Sequence, residues 1–167
     1  MSENSESSIA LDAIDLALLE QLQSDASLSN QDLAEAVHVS PPTCLRRVKR
    51  LRDTGLIERQ IAILDTDRLA RVTGHGLQAI VEITLDRQGD KEQQAFEARV
   101  AQDAAVQQCY RVSPGPDFVL IVHAPDMPGY LALAQRLFNT DANVRNVKAF
   151  FSLHRAKFQP AVPLARR

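Results

Sequence analysis

Cysteine is scarce in this 167-residue sequence: Cys44 and Cys109 are the only two, 65 positions apart and outside any CxxC pair. That excludes a Cys-rich zinc site and a disulfide framework, and leaves two reduced, semi-buried thiols. No apolar run approaches the roughly 20 residues that cross a bilayer. The stretch Met1–Ser8 is polar and acidic, without the basic and apolar regions of a secretion signal. The expected location is the cytoplasm, with no membrane partner. Catalytic signatures are missing too. The histidines His38, His75, His123 and His154 are scattered, and there is no His-x₃-His, nucleophile elbow or glycine-rich phosphate loop. Neither an enzyme nor a bound cofactor is expected. The chain is too short for a barrel enzyme and long enough for two small packed domains, with 45% apolar and 24% charged residues as in ordinary globular proteins.

Cations are the other local scarcity. From Met1 to Leu45 there is no Lys or Arg, against eight acids: Glu3, Glu6, Asp12, Asp15, Glu20, Asp25, Asp32 and Glu35. The sign then reverses. Arg46, Arg47, Lys49, Arg50, Arg52 and Arg59 fall within fourteen residues that hold only Asp53 and Glu58 as acids, a local charge of +4 in a chain whose net charge is −2. A whole-chain average hides this segment, which is where a phosphate contact would form.

The segment sits at the end of a helical pattern. Leu11, Ile14, Leu18, Leu19 and Leu22 keep helical spacing, and Asp12 and Asp15 suit the positive N-terminus of a first helix. Ser29 and Asp32 resemble a capping box opening a short second helix with Leu33, Ala34 and Val37 inside, ending near His38. After a three- or four-residue turn, Ser40-Pro41 offers an N-cap hydroxyl and a first-turn proline for a third helix. In it Leu45, Val48 and Leu51 are expected to face the core, and Asp53-Thr54-Gly55 ends it. Two short helices joined by a tight turn make a helix-turn-helix, whose second helix enters the major groove of double-stranded DNA. Ser40 and Thr43 lie where hydroxyls and free amides meet phosphates or bases, and Arg46 and Arg50 share a face, with Arg47 about a quarter turn away. Leu56–Leu64 reads as a linking strand.

Beyond the polar turn Asp65-Thr66-Asp67, a short segment Arg68–Val72 and the Gly74-His75-Gly76 break, the pattern turns to alternation. Strands are expected over Leu77–Leu85, Val106–Ser113, Asp117–Ala124 and Val144–Leu153, and helices over Asp90–Gln102 and Met127–Phe138, the latter capped by Asp126. The break Ser113-Pro114-Gly115-Pro116 separates the middle strands as a hairpin. The order βαββαβ predicts a ferredoxin-like α/β sandwich whose helices cover one sheet face. The other face then needs a partner chain. The expected fold class is α+β: a tail and helix-turn-helix, winged-helix-like, over residues 1–56, a strand linker over 57–74, and the sandwich over 75–167.

Read together, the chain resembles the Lrp/AsnC family of leucine-responsive, feast-or-famine transcription regulators over nearly its whole length. The first half carries Leu11-Asp12-x-x-Asp15, Leu28-Ser29-x-x-Asp32-Leu33-Ala34, Val39-Ser40-Pro41-x-Thr43-Cys44-Leu45-x-Arg47-Val48-x-Arg50-Leu51 and Gly55-Leu56-Ile57. The second carries Val81-Glu82-Ile83, Val112-Ser113, Asp117-Phe118, Pro125-Asp126-Met127-x-x-Tyr130 and Lys157 with Pro163-Leu164. The resemblance implies a sequence-specific DNA-binding regulator that forms homodimers and octamers and takes an amino acid or related metabolite between subunits. It places the DNA-reading positions on Ser40, Pro42, Thr43, Arg46, Arg47 and Arg50. It places the effector loop on Ser113, Pro114, Gly115, Asp117 and Phe118, with Pro114 where the family usually has glycine. Pro114 and Pro116 offer no backbone N–H to a ligand carboxylate, while Gly115 keeps a turn of either hand open. The expected consequence is an effector other than leucine, or a weak response. The competing classes are a metabolite-sensing or assembly module without a DNA role, and a helix-turn-helix used only for protein contacts, which would bind without salt sensitivity.

Overall fold

The computed structural model describes residues 10–74 and 76–164; the N-terminal tail and His75 of the Gly74-His75-Gly76 break lie outside the described residues. The chain divides into two compact units. One runs to Ile63 and takes back the chain from Lys157 onward; the other is Leu64–Ala156.

The first unit holds α1 (Ala13–Ser24), α2 (Asn30–Ala36) and α3 (Pro41–Asp53). Helix α1 opens with a reciprocal capping box: the Asp15 amide donates to Asp12 at 2.9 Å and the Asp12 amide donates to Asp15 at 3.2 Å. Ser29 caps α2 through the Asp32 amide, and its hydroxyl donates to the Asp32 carboxylate instead of completing a box. The turn into α3 is a Schellman motif, with Val39 N–H on Ala34 O at 2.9 Å and His38 N–H on Glu35 O at 3.1 Å. His38 takes the left-handed position, at φ 56°, that glycine fills most cheaply. Gly55, at φ 76°, turns the chain out of α3.

Leu18, Leu33, Ala34, Cys44, Val48 and Leu51 form the buried core of this unit. Leu45, expected inside, is 61% exposed, and Cys44 takes its place. The buried set 44, 48, 51 follows the helical i, i+4, i+7 spacing; strict threes drift around the cylinder. Leu56–Leu64, expected as a strand, forms none: the chain runs open from Glu58 to Asp65, with Ile61, Ile63 and Leu64 exposed. Among the described residues no strand lies alongside to accept a ladder, and β-rich composition without a paired neighbour does not make a strand. The C-terminal stretch, expected with the sandwich, packs on α1: Val162 N–H donates to Gln23 Oε1 at 2.6 Å and Gln23 Nε2 donates to Val162 O at 3.1 Å.

The second unit starts with α4 (Thr66–Thr73), seen in the sequence only as a short segment, and continues as β1 (Leu77–Leu85), α5 (Asp90–Val100), β2 (Val106–Arg111), β3 (Phe118–Ala124), α6 (Met127–Ala134) and β4 (Val144–Phe151). The antiparallel sheet runs β2-β3-β1-β4. This is the expected βαββαβ sandwich. Asp126 caps α6 through the Gly129 amide at 2.7 Å, and one π-helical turn, Gln135–Asn139, extends the helix. Ala79, Val81, Ile83 and Leu85 alternate inward and meet Phe118, Leu120 and Val122 of β3 under Phe96, Val100, Leu133 and Phe138 of the helices. Phe96 stacks on Phe118 with centroids 4.7 Å apart. On the opposite face Ile121, Ile80 and Phe150 align across three strands, with Ile80 and Phe150 about half exposed.

Candidate nucleic-acid interface and effector loop

Helix α3 is fixed against the other two helices of its unit at both ends. Asn30 Nδ2, from the start of α2, donates to Pro41 O at 2.9 Å. From α1, Asp12 and Asp15 reach across to the arginines. Arg47 Nη1 donates to Asp12 at 2.7 Å and to Asp15 at 2.9 Å, and Arg50 Nη2 donates to the other oxygen of Asp15. Asp15 is 1% exposed, the most buried charged group described in the unit. The Asp15 amide and the Arg47 guanidinium hold the Asp12 carboxyl below its ordinary range, and the two acids raise Arg47. A cleft of about 380 Å³ opens beside this cluster, lined by Ala10, Leu11, the two acids and Arg46, Arg47 and Arg50.

The expected DNA-reading residues therefore fall into three settings. Ser40 occupies the N-cap but does not cap with its hydroxyl, which donates to Thr43 Oγ1 at 2.9 Å. The first two helical residues are prolines and offer no N–H, and the Ser40 hydroxyl donates to Thr43 at the helix start instead of accepting from the backbone. Pro42 and Arg46 stand on the exposed ridge of α3, together with Leu45 and Lys49. Among the described residues, neither Arg46 nor Lys49 is in an ion pair. Arg47 and Arg50 are drawn toward α1. Two of the six cations that gave the segment its +4 are thus matched by Asp12 and Asp15, which sequence reading had placed only at a helix N-terminus. The available signal was a cation-free stretch with eight acids: neutral pairing had to come from elsewhere in the chain.

In the second unit the loop between β2 and β3 divides in the same way. Ser113, Pro114 and Gly115 are exposed, with Ser113–Pro114 cis and Gly115 at φ 125°. Asp117 and Phe118 point inward. Asp117 is 8% exposed and accepts from Leu85 N–H at 2.7 Å and Gln88 Nε2 at 3.3 Å, while its own backbone N–H and C=O bond Ile83 and Val112. Phe118 is wholly buried against Phe96. Cys109, on β2, is half-buried, and burial pushes its thiol up. No helix among the described residues is long and apolar enough to cross a membrane.

Comparison with known proteins places both halves. Residues 11–58 match the winged helix-turn-helix DNA-binding family, and residues 78–162 match the Lrp/AsnC ligand binding domain. The leucine-responsive regulatory protein of Rhizobium meliloti is 33% identical over 149 residues, 89% of this chain and 93% of that protein. Among solved structures, an AsnC family transcriptional regulator from Agrobacterium tumefaciens superposes with a TM-score of 0.80 at 27% identity, covering 92% of this chain and 97% of that one. A transcriptional regulator from Neisseria meningitidis in complex with L-Met gives the same score, identity and coverage.

Proposed function

Because the chain belongs to the Lrp/AsnC family of DNA-binding transcriptional regulators, we propose that α3 lies in the major groove of double-stranded DNA with Arg46 against base edges. The observation that carries this reading is the exposed ridge of α3, where Pro42, Leu45, Arg46 and Lys49 stand, with Arg46 and Lys49 in no ion pair among the described residues. An unpaired guanidinium can take the two acceptors of guanine, and Leu45 offers an apolar contact for a thymine methyl. Ser40 and Thr43, at the helix start, meet a phosphate. Arg47 orients α3 through Asp12 and Asp15, and Arg50 supplies a further phosphate contact. The test is binding of the full chain to DNA spanning its own promoter, titrated with salt. Arg46→Ala relaxes base preference at a cost of about 1–3 kcal/mol, whereas Arg50→Ala flattens the salt dependence by about one phosphate. Unchanged binding in both variants removes the assignment.

The second unit takes an amino acid or related metabolite between two copies of the chain, with Ser113, Pro114 and Gly115 nearest the ligand and Asp117 and Phe118 anchoring the loop. Support comes from the ligand-domain match and from the exposed Ser113–Gly115 turn set on a buried carboxylate. The apolar row Ile121–Ile80–Phe150 supports self-association into homodimers, and into octamers built from them. Such a regulator works in the cytoplasm, beside its DNA. Because Pro114 and Pro116 withhold two amides, the ligand is not leucine or the response is small. Repeating the promoter titration with a panel of amino acids, L-Met included, decides this. Saturable leucine binding at micromolar concentration with a large change in DNA affinity counts against it. Light scattering that finds only monomers counts against the assembly.

A further inference from the structure

Arg46, Arg47 and Arg50 lie within five residues of one helix, yet the structure holds each differently. Arg46 is exposed and unpaired among the described residues. Arg47 is four-fifths buried and bridges both acids through one nitrogen, with its Nε buried and without a hydrogen-bond partner. Arg50 touches Asp15 through Nη2 alone and keeps 47% of its side chain in water. The buried Asp15 carboxylate has three partners: Arg47 on Oδ1, and Arg50 and the Asp12 amide on Oδ2. If Arg50 swings away, Asp15 keeps two of them. If Arg47 leaves, both acids lose their shared cation and an already under-bonded guanidinium loses its hydrogen bonds to Asp12 and Asp15. Arg47 is thus a brace, and Arg50 is exchangeable.

We propose that Asp15 is a specificity-determining positioning residue, whose carboxylate competes with DNA phosphate for Arg50 and yields it only when α3 is fully seated on a matching sequence. The proposal rests on the reading that α3 docks in the groove. In free protein, Arg50 is already neutralised, so a poorly fitting duplex gains little from it. A well-fitted duplex brings a phosphate close enough to replace Asp15 as its partner, and only then does the contact add affinity. The effect is to weaken binding to wrong sequences more than to right ones, which is how an affinity difference becomes discrimination. Asp12, half exposed, keeps Arg47 in place while Arg50 is lent out.

The experiment measures binding constants of the full chain across a salt series on two duplexes: one selected by the wild-type protein from random sequence, and one of mixed sequence. Asp15→Asn keeps an oxygen for the Asp12 amide and removes the charge. It steepens the salt dependence on the mixed duplex by about 0.9 in log–log slope, equivalent to about a three- to fourfold larger loss of binding between 50 and 200 mM salt. The slope on the selected duplex moves much less, so selectivity falls. Arg50→Gln does the reverse, flattening the slope on the selected duplex and leaving the mixed one alone. A merely structural Asp15 would weaken both duplexes alike and move neither slope, which overturns the proposal. If Asp15→Asn does not fold, Arg50→Gln decides alone: equal flattening on both duplexes overturns it. Failure of the wild type to select any sequence overturns the groove-docking reading and this competition with it; selection with unmoved slopes overturns the competition alone.

Discussion

The two units hold themselves together by different means. The sandwich buries fifteen residues in one continuous core, among them Phe96, Phe118 and Phe138, and its ion pairs, Arg99 with Asp141, Arg136 with Asp103 and Arg111 with Glu97, lie around that core. The helical unit buries six, and its most buried charged group, Asp15, ties α1 to α3 directly. A small unit removes a smaller fraction of its surface from water, so each remaining contact weighs more. In the sandwich, one buried carboxylate, Asp117, fixes a loop, and the ion pairs lie around a fold determined by packing. In the helical unit, charge takes part in setting where α3 stands.

This contrast can be probed unit by unit, because both tyrosines, Tyr110 and Tyr130, lie in the sandwich and the sequence has no tryptophan. Tyrosine emission reports the sandwich alone, and helical circular dichroism reports both. The largest effect is expected from Phe118→Ala, which empties the Phe96 stack and costs the sandwich about 3–5 kcal/mol, read as an early tyrosine transition in urea. A helical transition that moves just as far would show that the units do not unfold separately. Asp15→Ala is expected to cost the helical unit about 1–3 kcal/mol, since two guanidiniums and an amide lose a charged acceptor, and to leave the tyrosine transition in place. His38→Gly relieves the left-handed turn between α2 and α3 and raises stability of the helical unit by about 0.5–1 kcal/mol, partly offset by greater freedom of the unfolded chain. The smallest difference is in acid. For Asp103 and Asp141, burial alone would raise the carboxyls, but Arg136 with the Ala105 amide and the Asn143 amide with Arg99 bring both below the ordinary aspartate range. Asp12 is lowered as well, in an open setting. Each depressed carboxylate stabilises its unit fully above its unfolded value and loses that contribution as pH falls through the lower, folded one. Asp25 is lowered by Ser27 in the same way, so each unit carries two such carboxylates, and the melting temperatures of both hold down to about pH 4 and then drop.

Much of this was legible in the chain. Helical periodicity in Leu11–Leu22 and Leu33–Val37 marked the first two helices, and alternation in Leu77–Leu85 marked the central strand, because one face of each is buried and burial imposes its period on sequence. Leu45 was misplaced because leucine at a threefold spacing imitates a core stripe, whereas the helix buries the less conspicuous Cys44. Ile61 and Ile63 imitate a strand, yet among the described residues no strand pairs with them. At the candidate interface, the residue types and their place on α3 were readable. Which arginine is free was not: Asp15 lies 32 and 35 positions from Arg47 and Arg50, and only the packing of α1 on α3 brings them together. In the same way Asp117 and Phe118 read as the start of a strand and the end of the effector loop, and only the register of β1 against β3 shows that they turn inward.

The grip of Gln23 on Val162 has a consequence in time. Synthesis proceeds from the N-terminus, and domains ordinarily fold in that order as they leave the ribosome. Here α1 emerges before the whole of the sandwich and waits for a partner 139 positions later. The helix-turn-helix unit begins before the sandwich and is completed after it, so a nascent chain interrupted before Val162 would carry helices lacking this contact of their own unit.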